Sequence, residues 1–267
     1  MEVGVISDLI AEGDDVDRLV ADLDPEQWAL ATPAPGWTVA HQIAHLAATF
    51  RLAATAASDP DLFRAVASRL GDDFDANVRA AMSEYLADPP EVLLSRFRAE
   101  RAVAEKALAA APADQLVPWL VRPLPPAVLA CAGMMELFGH GQDIADALGA
   151  RLRRTDRIKH LAGFAARVWD FGYQARGLGV PDVTLRFDLV GPSGAGWQFT
   201  SSASPDGPTQ TITGPAVDFC LLVTRRRHRD DLALTASGPE ADRWLDVAQA
   251  YRGPAGAGRA PGQFAGS

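Results

Sequence analysis

The feature that most constrains what this chain can fold into is a change of hydrophobic period near Gly179. Before it, apolar residues recur at intervals of three and four nearly throughout, broken only where Pro, Gly or Asp cluster. After it, VTLRFDLVG, GWQFTSS and TQTITG alternate apolar and polar residues between Gly, Pro and Ser. The first period is that of helices buried on one face, the second that of half-buried strands. The chain therefore reads as a two-domain α+β protein: a helical domain over 1–179, a small α+β domain over 180–253, and a tail over 254–267, PAGAGRAPGQFAGS, whose lack of an apolar period predicts disorder.

In the helical part the pattern predicts a first helix over Val3–Leu23, with Val5, Ile6, Leu9, Ile10, Val16, Leu19 and Val20 on its buried face. The loop PEQWALATPAPGW ends at Thr38, a good N-cap for a helix over Val39–Ser58. Further helices are expected over Pro60–Leu86 with an interruption near Gly71, over Pro90–Ala110, over Ala127–Leu148 with Gly149 as its stop, and from Thr155 to Arg176. The segment VPWLVRPLPPAV is too rich in proline to join them. Beyond Pro181 the strands are expected to be antiparallel, and a helix over Pro215–Thr224, a strand from Leu232 and a helix over Pro239–Tyr251 complete the small domain.

Composition narrows the partners. A formal net charge of -9 argues against nucleic acid, whose phosphates are held by clustered Lys and Arg. The one basic cluster, Arg225, Arg226, Arg227, His228 and Arg229, runs at once into Asp230 and Asp231, and reads either as a solvated turn or as an anion site. No apolar run approaches the roughly 20 residues that span a bilayer, and the first residues lack the basic flank and cleavage site of a signal peptide, so cytoplasmic residence is expected. A small-molecule substrate is the expected partner, and a homodimer is left open. Cys131 and Cys220 are wrongly spaced for a Cys-x-x-Cys site and read as buried thiols.

Chemistry concentrates in HQIAHLAATF from His41 and MELFGHGQDIADALG from Met135. Glu136 and His140 are four residues apart, so on a helix both can reach one ion, and a second helix can bring in His45. Two His and one carboxylate leave a coordination position open, as in catalytic zinc sites. Zinc suits these ligands, although nickel, iron or manganese would be accepted by them. His41 lies one turn before His45 and Asp143 three residues after His140, where each is placed as a partner that orients a ligand or carries a proton. Each of these side chains also has a plain reading, as a satisfied core or surface residue, and Trp37 reads as packing beside the N-cap.

PGWTVAHQIAHL, followed about ninety residues later by MELFGHGQDIADALG, resembles the metal-binding helices of the DinB-like superfamily, in particular the mycothiol-dependent maleylpyruvate isomerase family. The resemblance implies a DinB-like four-helix bundle with extra helices, holding a divalent ion on His45, Glu136 and His140. ITGPAVDFCLLVTRRRHRDDL and GPEADRWLDVAQAYRGP resemble the small sterol-carrier-like C-terminal domain of the same two-domain proteins. One departure is His41, where such relatives commonly carry Asp.

Three functions follow. The first is metal-dependent S-transfer or thiol-assisted isomerisation of a small metabolite with mycothiol or another low-molecular-weight thiol, in which His41 or Asp143 moves a proton and Arg225 and Arg226 anchor an anionic group. The second is a thiol-independent metal-dependent hydrolase, lyase or cyclase. The third is a non-catalytic small-molecule-binding protein.

Overall fold

A proline or a capping side chain marks almost every helix start in the first half of the chain. In a computed structural model, residues 4–201 and 207–264 are described, and the chain divides into two compact units, Met1–Leu152 and Arg153–Ser267.

In the first unit α1 spans Val5–Val20. The single turn α2, Pro25–Trp28, lies inside the segment expected to be loop; Asp24 opens it by accepting from the Gln27 N–H while the Gln27 side chain accepts from the Asp24 N–H. Thr38 caps α3, Val39–Ser58. Asp59 and Asp73 cap α4, Pro60–Ala67, and α5, Phe74–Leu86, and the expected break at Gly71 falls between them. Proline at the first turn opens α6, Pro90–Ala110, and α7, Pro126–Leu148, and Gly149 ends α7 in the left-handed region at φ 63°. α3 packs on α6 and α7, and α1 packs on the same two helices. Leu9, Ile43, Leu46, Phe97, Leu137 and Phe138 are buried among them, each side chain contributing roughly 1.5–3 kcal/mol by leaving water.

The second unit begins earlier than the period change suggested. The helix expected from Thr155 to Arg176 is broken into α8, Lys159–Arg167, and α9, Phe171–Gln174, and Thr155 makes no side-chain cap. Two contacts explain the break: the Trp169 carbonyl accepts from the Trp244 indole N–H at 2.8 Å, and Gly172 lies tight against the Val247 carbonyl. α8 buries Leu161, Ala162, Phe164 and Ala165 and packs on sheet and helix of this unit. The compact units therefore divide after Leu152, while the change of period expected to mark the domains lies at 179/180.

Among the described residues β1 (Thr184–Val190), β2 (Gly196–Thr200), β3 (Thr209–Pro215) and β4 (Thr235–Ser237) form one sheet in the order β2-β1-β3-β4. The expectation of purely antiparallel strands fails at its centre, where β1 and β3 run parallel with Phe187 opposite Ile212. Alternation reports burial on one face and carries no strand direction. Because β2 hairpins back along one edge of β1, the chain re-enters on the other side running the same way as β1. α10, Ala216–Val223, follows directly, and α11, Pro239–Val247, ends short of Tyr251 as Ala248 turns to extended backbone. Phe187, Phe219 and Trp244 meet in the core with ring centroids 5.2–5.9 Å apart.

The segment from 254, expected to be disordered, is laid against the basic turn as far as residue 264; 265–267 lie outside the described residues. The Gly262 N–H donates to the Asp231 carboxylate at 2.8 Å, Arg225 donates to the Gly256 carbonyl, and the Arg227 guanidinium covers the Phe264 ring. Charged partners in the turn supply what the tail's own composition lacks. Among the described residues no helix is long and apolar enough to cross a membrane.

Candidate metal centre

The centre is assembled by α3 and α7, which pack directly on each other. His45 projects from α3, and Glu136 and His140 sit one turn apart on α7. The Glu136 Oε2 atom lies 3.1 Å from His140 Nε2 and 3.4 Å from His45 Nε2. One ligand atom from each of the three residues lies within 4.8 Å of the others. The side chains are 13–21% exposed, so the cluster is sheltered but reachable.

Electrostatics bind the three together. Burial is the largest influence on the Glu136 carboxyl and works to raise its pKa; hydrogen bonds and positive charge from His140 and His45 outweigh it and hold the group well below the usual carboxylate range.

Neighbouring residues settle how His140 faces the centre. The Thr32 hydroxyl donates to the Trp37 carbonyl at 2.9 Å, so its oxygen can accept from the Gln42 amide N–H at 2.8 Å. That turns the Gln42 carbonyl oxygen to His140 Nδ1, 2.5 Å away, and this oxygen can only accept. His140 Nδ1 therefore carries a proton; a charged ring carries a second at Nε2, donated to Glu136, and a neutral ring leaves a lone pair there. A lone pair and a carboxylate oxygen 3.1 Å apart repel unless a proton or a cation lies between them. Ligand atoms about 2.0–2.2 Å from one tetrahedral ion stand about 3.4 Å apart, which the two Glu136 separations match. The residues present thus fit a divalent metal.

A turn at Ala34–Trp37 places an indole beside the centre. Pro35 and Gly36, the latter at φ 77°, close it with the Trp37 N–H donating to the Ala34 carbonyl. Trp37 is thereby stacked near-parallel on His140 and also lies 5.3 Å from His45, centroid to centroid. The Thr49 hydroxyl, one turn beyond His45, comes within 3.5 Å of its Nε2.

Not every candidate residue enters this set. His41 is turned to the start of α3: its Nδ1 accepts from the Thr38 N–H at 3.3 Å and lies 2.8 Å from the Thr38 hydroxyl, closing a capping box in which His stands where Glu or Gln is usual. Asp143 is fully buried on α7 three residues past His140, outside the three converging ligands. Arg225 and Arg226 belong to the second unit at the end of α10, Arg225 in the left-handed region at φ 58° and Arg226 donating to the Thr224 carbonyl at 2.5 Å. Gln42, Trp37 and Thr49 were not among the residues the sequence singled out for the site. A signal for Gln42 existed, since it is an amide in the apolar run between the two histidines, at a position that packing fully buries.

Comparison with known proteins gives this geometry a context. The family described as mycothiol maleylpyruvate isomerase N-terminal domain matches residues 9–145. Two uncharacterized proteins of Mycobacterium tuberculosis, from strains CDC 1551 and H37Rv, are each 40% identical over 254 residues, 95% of this chain and 97% of theirs. The crystal structure of the mycothiol-dependent maleylpyruvate isomerase superposes with a TM-score of 0.57 at 14% identity, covering 89% of this chain and 94% of the other. A His-to-Ala mutant of that isomerase gives 0.55 at 16% identity with the same coverage. At these identities the likeness is one of fold, a helical part followed by a small sheet-containing part.

Proposed function

Because this chain belongs to the mycothiol maleylpyruvate isomerase N-terminal domain family, we propose that it is a divalent-metal-dependent enzyme that uses a mycothiol-type thiol to isomerise, or to transfer sulfur to, a small organic metabolite. The observation that carries the reading is that His45, Glu136 and His140 bring one ligand atom each to within 4.8 Å of one another. On the same reading the four long helices are a DinB-like bundle, the second unit is sterol-carrier-like, and the protein is cytoplasmic.

His45, Glu136 and His140 would hold the ion, zinc being the best match to these ligands. When bound, it supplies Lewis acidity that favours thiolate over thiol near neutral pH and polarises a carbonyl. Thiol-assisted isomerisation then balances without a redox partner. Sulfur bonds to one carbon of an activated double bond while the π electrons move to the conjugated carbonyl, the resulting single bond rotates, and the carbon–sulfur bond breaks as the double bond re-forms. The chain's own residues bind and orient. Trp37 stacks on the His140 ring, and Thr49 offers a hydroxyl beside His45 Nε2. His41, held at Nδ1, keeps Nε2 for moving a proton. Asp143 would act from its buried place on α7, and Arg225 and Arg226 would offer an anion site within the second unit.

The test is metal analysis of protein purified without chelator, followed by assay with maleylpyruvate and mycothiol, the substrate and thiol in the names of the structural neighbours. Stoichiometric metal with turnover that needs the thiol and is lost in His140→Ala is expected. Turnover without thiol moves the assignment to a thiol-independent metal enzyme, and protein that takes up no metal under any loading condition sinks it.

A further inference from the structure

Gln42 is completely buried, one turn before His45 on α3, and is hydrogen-bonded at both ends of its amide. A buried amide this constrained has its direction fixed by its neighbours. The Thr32 hydroxyl spends its proton on the Trp37 carbonyl, so only the NH2 end of Gln42 can face it. The opposite end then offers His140 an acceptor and nothing else. An isolated imidazole distributes its proton between its two nitrogens, and only one arrangement leaves Nε2 able to bind an ion.

We propose that Gln42 is a positioning residue: through the relay from the Trp37 carbonyl, Thr32 and its own amide, it locks His140 as the Nδ1–H form and aims Nε2 at the centre. The idea rests on the reading of that centre as a metal site, but makes a separate statement about a proton on one nitrogen. Gln42 touches neither substrate nor ion in this account. Its effect reaches the ion through ring orientation and ligand basicity, the route by which partners of metal-bound histidines commonly change affinity about tenfold to a hundredfold.

Two readouts other than activity test it: the His140 Nδ1–H resonance in nitrogen-edited NMR of metal-free protein, and the zinc dissociation constant from chelator competition. Wild type is expected to show a slowly exchanging Nδ1–H signal. Gln42→Leu is expected to lose that signal and bind zinc about tenfold to a hundredfold more weakly. Gln42→Glu, which keeps an acceptor at the same place, should retain both. Thr32→Val, remote from the ring, should weaken the signal in the same direction and serves if Gln42→Leu fails to fold. A Gln42→Leu protein that keeps the signal and stays within about twofold of wild-type affinity, well under the loss expected for such partners, overturns the inference. So does a wild-type ring protonated at Nε2 alone. A wild type that binds no zinc, yet has the signal and loses it in Gln42→Leu, would sink the metal reading while leaving the role of Gln42 standing.

Discussion

The indole of Trp37 lies 5.8 Å from the His140 imidazole, centroid to centroid, with the two planes 17° apart. An ion arriving at His140 Nε2 therefore comes within reach of an indole, and the aromatic face responds to the charge placed beneath it. Cobalt titration should quench tryptophan emission in wild type, and the quenching should be largely absent in Trp37→Phe. The stacked pair is worth about 0.5–1.5 kcal/mol, so Trp37→Ala should weaken zinc binding by about tenfold or less. Equal quenching in wild type and Trp37→Phe would place the ion elsewhere.

The depressed Glu136 carboxyl gives metal-free protein a signature in acid. The folded-state pKa lies below the ordinary value of 4.5, so its contribution to stability is fully present above about 4.5 and is lost as pH falls toward the folded value. Thermal melts of chelator-treated protein should show stability declining below about pH 4.5, with a shallower decline in Glu136→Gln. The same variant should bind zinc more than about a hundredfold more weakly than wild type, since it removes a ligand and not merely a ligand's partner. Parallel acid profiles for the two proteins would mean that the carboxylate is not held by His45 and His140.

How much of this was legible beforehand depends on which physical signal each feature leaves in sequence. Helix starts marked by Thr38, Asp59, Asp73, Pro90 and Pro126 were readable because caps and prolines act within a few residues. The spacing of Glu136 and His140 was readable for the same reason. Features set by tertiary contact were not: the break at Trp169 answers to an indole 75 residues away, and the β1–β3 pairing is parallel only because of where β2 lies. Gln42 escaped notice because a buried amide looks like a surface residue until its two partners, 10 and 98 residues away, are in place. The course of the tail has a related cause, since its partners, Arg225, Arg227 and Asp231, lie outside it.

Gly172 should prove among the least tolerant positions of the second unit. A Cβ built there would stand 1.8 Å from the Val247 carbonyl oxygen, which is backbone and cannot rotate aside. Arg176 donates to the Gly172 carbonyl at 2.8 Å and to the Val247 carbonyl at 3.0 Å, so one guanidinium fastens both segments at their closest approach. In an ordinary helix Gly→Ala stabilises by up to about 1 kcal/mol. Here overpacking should reverse the sign, and Gly172→Ala is expected to cost about 1–3 kcal/mol or more in chemical denaturation. A neutral or stabilising result would show that the α9–Val247 contact is looser than described.

On the proposed function, His41 carries two duties that a single substitution can separate. As the third residue of α3 it completes the capping box with Thr38, a task that needs only an acceptor, and glutamine is one of the residues ordinarily found there. As a proton carrier it needs a titratable ring, which glutamine lacks. His41→Gln should therefore leave the melting temperature and zinc affinity near wild type and reduce turnover, by about a hundredfold if the proton transfer is of ordinary importance. His41→Ala should in addition lose stability by about 0.5–1.5 kcal/mol, the worth of one hydrogen bond, because Thr38 still caps the helix through the residue-41 N–H. If His41→Gln turns over at the wild-type rate, His41 is a helix cap and nothing more, and the proton must be moved by Asp143 or by the substrate itself.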